Sequence, residues 1–213
     1  VARHFRIVPV PEAEVLWIAI DTPVNTHDES DVDTVLEQTR EAIDESPPGA
    51  LTVISSQLPV GTCARIEAEY PERHIATQPE NIRIAHAVTD FESQTRIVVG
   101  TRHPETRPLL ARLFAPFTDD VQFMSPESAE MTKHALNVFL AMEIAYANEI
   151  ADLCAAVGAD TGDVSAGLRS DRRVGCGPLR PGGPYRGGTL GRDVRSLLHL
   201  GAGPVIRGIA ESN

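Results

Sequence analysis

Thirty consecutive residues, Ser128 to Val157, contain neither glycine nor proline. Nothing in that run interrupts an intrahelical hydrogen bond or frees the backbone, so it predicts one unbroken helix. At 1.5 Å per residue it is about 45 Å long, well over the usual three turns. Its sequence, "SAEMTKHALNVFLAMEIAYANEIADLCAAV", is apolar on more than one side. A helix of that kind needs neighbours on several sides, and a subunit interface is the natural supply. The helix is therefore expected to pair two copies of the chain. "GAD" breaks it, and "TGDVSAGL" then reads as a short helix capped by Thr161.

Upstream the pattern changes. "FRIVPV" suggests a mixed strand, and "EVLWIAI", Glu14 to Ile20, a strand buried on both faces. Asp31 to Glu45 carries apolar residues at Val32, Val35, Leu36 and Ile43, the pattern of an amphipathic helix, with Ser30 as its expected N-cap. "ALTVISS", "HIAT", "RIVVG" and "DVQFM" continue the strands; "GTCARIEAEY" and "RPLLARLF" continue the helices. Strands alternating with helices predict a parallel sheet with crossovers, an α/β, doubly wound, Rossmann-like architecture. The expected division is a partial cofactor-binding α/β domain over 1–124 and an all-α central domain over 125–213. That second domain holds the long helix, a Gly-, Pro- and Arg-rich loop over 169–189, and a helix from Asp193 to Leu200.

Composition removes several classes. The 213 residues carry a net charge of −11, and Lys and Arg form no basic face, so nucleic acid is not an expected partner. No apolar run is long enough to cross a membrane, and no charged-then-apolar leader opens the chain. Cys63, Cys154 and Cys176 are widely spaced, which indicates no disulfide framework and suits a reducing cytoplasm. The seven histidines are scattered without metal-ligand spacing, so no metal is expected. The first residue is Val rather than Met, and no G-x-G-x-x-G follows a strand.

The motifs fall into a known order. "WIAIDTPV", "SSQLPVGT", "QPENIR", "RIVVG", the long helix, "RSDRRVG" and "PGGPYRGGTLGRD" together resemble the nucleotide-sugar 6-dehydrogenases, the UDP-glucose/GDP-mannose dehydrogenase family. The resemblance spans essentially the whole chain. It implies NAD as cofactor, a nucleotide-linked sugar alcohol as substrate, oxidation at the sugar C6 through a cysteine thioester, and a homodimer formed through the long helix. The family's N-terminal Gly-rich loop and its C-terminal sugar-nucleotide domain are not in this sequence. Either they lie outside it or the chain is a curtailed relative.

The resemblance also assigns residues. Lys133 and Asn137 are one helical turn apart and match the pair that holds the reacting sugar oxygen; taken alone they would also describe a solvated helix face. Loss of a hydride from an alcohol needs a proton acceptor and a donor or cation beside the developing alkoxide. Asp193 matches the aspartate that orients water, although an acid there also suits a helix start. Glu80 matches a glutamate lying along the substrate. Thr22 and Pro23, after the first clear strand, match the turn that touches the cofactor. Ser56 and Gln57 end the next strand, where ligands of doubly wound sheets collect. Arg83, Arg173, Tyr185, Gly187 and Gly188 match the substrate loops.

Three positions depart from the family. Gln57 stands where a threonine is usual, and Ile84 replaces a second glutamate. Thr189, four before Asp193, occupies the place of the nucleophilic cysteine. A thiol with a pKa of about 8.5 is partly ionised near neutrality, whereas a hydroxyl is not activated without an adjoining base. No thioester forms at Thr189. The expected outcomes are a dehydrogenase that stops at the aldehyde or, alternatively, a non-catalytic dimer of the same family.

Overall fold

The computed structural model describes residues 5–23, 30–80, 82, 86–174, 179–185 and 187–213. The expected substrate residue Arg83, the departure at Ile84 and the loop cysteine Cys176 lie outside the described residues.

The chain forms two compact units. The first includes residues 5–23 and Ser30–Lys133; the second includes His134–Asn213. Five strands make the sheet of the first unit: β1 (Val15–Ile18), β2 (Leu51–Ile54), β3 (Ile75–Thr77), β4 (Ile97–Thr101) and β5 (Val121–Met124), side by side in that order. Between them run α1 (Val32–Glu45), α2 (Thr62–Glu69), α3 (Ala87–Glu92) and α4 (Arg107–Phe114).

Side-chain alternation sorts the core onto two faces of the sheet. Leu16, Ile18, Ile54 and Ile75 pack with Val35, Leu36 and Ile43 of α1 and Ile66 of α2. Leu51, Val53, Ala76, Ile97 and Val99 pack with Leu110, Leu113 and Phe114 of α4. Helices on both faces are what the continuous apolar strands predicted.

The sheet is not wholly parallel. β1–β2, β2–β3 and β4–β5 are parallel, but β3 and β4 run antiparallel, with Ala76 opposite Thr101 and Thr77 opposite Gly100. Every residue of β3 and β4 is buried. Strands apolar on both faces look alike whichever way they run, so periodicity does not report direction.

Other boundaries shift for local reasons. Phe5–Val10 is not a strand; Pro9 and Pro11 withhold the ladder N–H, and Val10–Glu12 closes as a 3-10 turn instead. α1 is capped by Asp31 rather than Ser30, the carboxylate accepting from the Thr34 backbone N–H at 3.1 Å. Arg73 donates to the Ile43 and Ser46 carbonyls at the far end of α1. Asp160, not Thr161, caps α6 (Thr161–Ser170), accepting from Asp163 N–H at 3.0 Å. A carboxylate also complements the positive end of a helix, which a hydroxyl does less well.

The long helix α5 runs from Pro126 to Val157 without interruption for 32 residues. Its first turns, through Lys133, belong to the first unit and the rest to the second. In the second unit Val138, Ala141 and Ala145 of α5 pack with Tyr185, with Val194 and Leu197 of α7 (Arg192–His199) and with Ile209 of α8 (Pro204–Glu211). Sequence reading missed α3 and α8, which are short and follow runs rich in polar residues or glycine.

At Gly100 strand β4 and helix α5 meet closely. A methyl group there would stand 2.6 Å from the Pro126 Cα and 2.9 Å from the Ala129 Cβ. The nearer atom is backbone and cannot swing aside. Gly100→Ala is expected to cost about 1–3 kcal/mol, read as a lower urea midpoint at unchanged slope.

Candidate functional site

In the first unit, the expected cofactor residues gather at the carboxyl ends of β1 and β2, which are adjacent and parallel. Thr22 is buried and its Oγ1 donates to the Gln57 carbonyl at 2.7 Å. This ties the turn after β1, which includes Pro23, to the segment after β2. Next to Gln57 is Ser56, its Oγ shielded from water and without a hydrogen-bond partner among the described residues. Shielded hydroxyls usually have partners. A shielded hydroxyl at the carboxyl ends of adjacent parallel strands suits the polar atoms of a dinucleotide.

Beside these residues runs a polar chain that sequence reading missed. Trp17 Nε1 donates to Ser55 Oγ at 2.7 Å, and Ser55 Oγ donates to Gln78 Oε1 at 2.9 Å. It links β1 to the start of the "QPENIR" segment, and Gln78 is fully buried. Only the pairing of strands brings residues so far apart in sequence together.

Lys133 is buried, and its Nζ donates to the Glu80 carbonyl oxygen at 2.7 Å. The Glu80 carboxylate turns elsewhere and accepts from Ile82 N–H at 3.2 Å. Thus Glu80 meets Lys133 through its backbone. One turn before Lys133, buried Glu130 accepts from the backbone N–H groups of Gly61 and Cys63 at 2.6 and 2.9 Å. Gly61 sits in the left-handed region and offers α2 no side-chain cap, so Glu130 supplies one from another helix. Burial, helped by the nearby Glu67 and Glu130 charges, pushes the Cys63 thiol far above its ordinary range. Cys63 is inert as a nucleophile at neutral pH.

In the second unit, Asp193 is completely buried in the first turn of α7. Its two carboxylate oxygens take separate partners: Oδ2 accepts from Asn137 Nδ2 at 2.5 Å, and Oδ1 meets His134 Nδ1 at 2.7 Å. Asn137 and Asp193 are thus brought together. His134 is a third member that sequence reading missed; its neighbour Lys133 carried the motif. His134 and Asn137 are three apart and so share a helix face, but only the fold brings Asp193 to both of them.

The loop residues take distinct places. Tyr185 is buried in the second unit's core and its hydroxyl donates to the Ile209 carbonyl at 3.0 Å. Asn148 of α5 accepts from Gly182 N–H at 2.8 Å, and Ser165 donates to the Leu179 carbonyl, so the Pro-Gly loop is tied at both flanks. Gly187–Gly191 forms a π-helical turn leading into α7, with Thr189 half-buried within it. Arg173 is exposed and clasps Asp171 with two N–H groups at 2.7 and 3.0 Å. A cavity of about 570 Å³ lined by Phe5, Val10, Trp17, Leu109 and Leu113 touches none of the expected site residues.

A mostly parallel sheet with helices on both faces, followed in the chain by a helical unit, defines a Rossmann-like α/β architecture. Residues 7–118 match the NAD binding domain of the UDP-glucose/GDP-mannose dehydrogenase family, and residues 127–206 match its central domain. The chain belongs to that family, and the cofactor of its first domain is NAD. A UDP-glucose 6-dehydrogenase of Pseudomonas aeruginosa is 34% identical over 200 residues, covering 88% of this chain and 44% of that protein. The structure of a UDP-glucose dehydrogenase from Pyrobaculum islandicum superposes with a TM-score of 0.79 at 27% identity, over 95% of this chain and 50% of that one. A UDP-D-ManNAc dehydrogenase of Pyrococcus horikoshii shares the fold, with a TM-score of 0.83 at 22% identity, over 96% and 51% of the two chains. The chain spans about half the length of the relatives it matches.

The Asp193 cluster gives a stability test. Asp193→Asn keeps the shape but sets an amide N–H against one of two donors. It is expected to lower stability by about 1–3 kcal/mol, measured by chemical denaturation.

Proposed function

We propose that the whole protein is an NAD-dependent dehydrogenase acting on the C6 alcohol of a nucleotide-linked sugar. The observation that supports this most is the burial of Lys133, Asn137 and Asp193, all of which fall in residues 127–206, the region that matches the family's central domain. Buried polar and charged groups carry a desolvation cost, and a scaffold alone has no need of so many.

In this reading Thr22, Pro23, Ser56 and Gln57 hold the cofactor, and bound NAD supplies the hydride acceptor. Lys133 and Asn137 hold the sugar C6 oxygen. The ammonium offsets negative charge as the alcohol loses its proton, in a place shielded from water where such an effect is large. Asp193 holds the Asn137 amide by one oxygen and so sets which way Asn137 faces. Asp193 and Glu80 then serve the water needed after the first oxidation. Arg83, Arg173, Gly187 and Gly188 serve the sugar nucleotide, and Tyr185 anchors the loop carrying the glycines.

Thr189 limits the chemistry. Without a thiol, no covalent acyl intermediate carries the second oxidation. A second reading, a non-catalytic member of the family, is favoured by the same residue and by Gln57.

The partner is a second copy of the chain. Phe139, Tyr146 and Leu153 of α5 recur every seven residues and are each about half exposed. An apolar stripe at that spacing suits a helix–helix seam. Among the described residues no helix is long and apolar enough to cross a membrane. Cys63 and Cys154 are free thiols, which suits the cytoplasm.

The complete gene product with UDP-glucose and NAD is expected to form about one NADH per sugar, and Lys133→Ala to slow this at least about 100-fold. Two NADH per sugar, unchanged in Thr189→Ala, would remove Thr189 from the account. No NADH from protein that still binds NAD would favour the second reading. Sizing with light scattering is expected to give twice the chain mass, and Tyr146→Glu with Leu153→Glu to give a monomer.

A further inference from the structure

Away from all these residues, the antiparallel step in the sheet creates a side-chain cluster. His74 immediately precedes β3 and His103 follows β4 by one residue after Arg102. Ala76 pairs with Thr101. Continuing that antiparallel register by two residues sets His74 opposite His103, and the two-residue step keeps both on one face. Their rings are 4.8 Å apart between centroids.

Glu105 completes the group. It lies in the short 3-10 turn Pro104–Thr106, which folds its carboxylate back toward the rings. Oε1 is 3.5 Å from His74 Nε2 and 3.4 Å from His103 Nδ1. Two ligands about 2.0–2.1 Å from a tetrahedral zinc ion stand about 3.3–3.4 Å from each other. Both distances to the carboxylate therefore match edges of such a tetrahedron. All three ligating atoms lie within 4.8 Å of one another.

The turn bearing two of the three groups is held from beneath. Thr101 and Thr106 are buried. Thr101 Oγ1 accepts from His103 N–H at 3.1 Å, and Thr106 Oγ1 donates to the His103 carbonyl at 2.7 Å. The His103 backbone is thereby fixed before any ligand arrives. The three side chains remain partly exposed, at 47%, 31% and 58% for His74, His103 and Glu105, so water reaches the remaining position.

From this geometry we infer that His74, His103 and Glu105 form a binding site for a borderline divalent transition-metal ion, Zn²⁺ above all. Two imidazoles and one carboxylate are a donor set that zinc accepts with a fourth position left to water. The ion would tie β3 to β4 at the point where the sheet reverses direction. This site is separate from the proposed dehydrogenase residues and does not depend on their function. Its bland counterpart is a carboxylate bridging two imidazoles, which holds protons rather than metal. The two differ in their response to pH. Metal and protons compete for the same imidazole nitrogens, so metal binding weakens as the solution becomes more acidic.

Titration calorimetry of zinc chloride into chelator-treated full-length chain at pH 7.5 tests the site. One equivalent is expected to bind with micromolar affinity or tighter, weakened at least about tenfold in Glu105→Gln and lost in His74→Ala with His103→Ala. All three side chains are exposed enough for these variants to fold. Zinc at about 100 times Kd should raise the thermal midpoint of the parent chain and leave that of the double variant unmoved. Absence of any micromolar site, or zinc binding equal in parent and double variant, overturns the inference.

Discussion

Burying charge is costly, and helix α5 is where this protein concentrates that cost. Glu130, Lys133, His134, Asn137 and Glu143 are all buried along it. Most of them have named partners. Glu130 receives two backbone N–H groups of the α2 start, Lys133 meets a carbonyl, and His134 and Asn137 divide the two oxygens of Asp193. A buried charge with such partners holds its surroundings to one arrangement, because any slippage would leave it unpaired. Within each unit, then, α5 is both a packing element and the rod from which polar groups are hung.

The sheet supplies the complementary constraint. Its parallel pair β1–β2 ends with Thr22, Ser56 and Gln57 at one edge, where adjoining carboxyl ends leave backbone and hydroxyl groups for a ligand. Its antiparallel pair β3–β4 ends differently. Side chains across such a pair face each other directly, so His74 and His103 meet. One change of strand direction thus separates the proposed cofactor residues at the parallel ends from the proposed metal-binding group beside the antiparallel one. Gly100 lies in that same pair, kept bare so that α5 can approach β4.

Much of this was legible in the residues. Apolar runs of strand length located all five strands, and the absence of glycine and proline located α5 to within two residues. Motif order pointed to the family through Thr22, Lys133, Asn137 and Asp193. Local chemistry was harder to read. Asp31 and Asp160 cap their helices where Ser30 and Thr161 were expected, because two adjacent residues can both cap and only the backbone turn selects one. His134, Gln78 and Glu130 were passed over because each acts on a group remote in sequence, 59 residues away for His134, 69 and 67 for Glu130, and 23 for Gln78.

The sequence alone located the five strands and the longer helices, indicated which family the chain resembles, and showed that position 189 bears a hydroxyl instead of a thiol. Those properties are local: periodicity, backbone freedom and side-chain chemistry are carried by neighbours along the chain. Tertiary structure alone decided that β4 runs against β3, that His134 joins Asn137 at Asp193, and that two distant histidines share a carboxylate. Strand direction and contacts between remote residues follow from how the elements dock, and a one-dimensional pattern of apolar and polar residues carries no term for that docking.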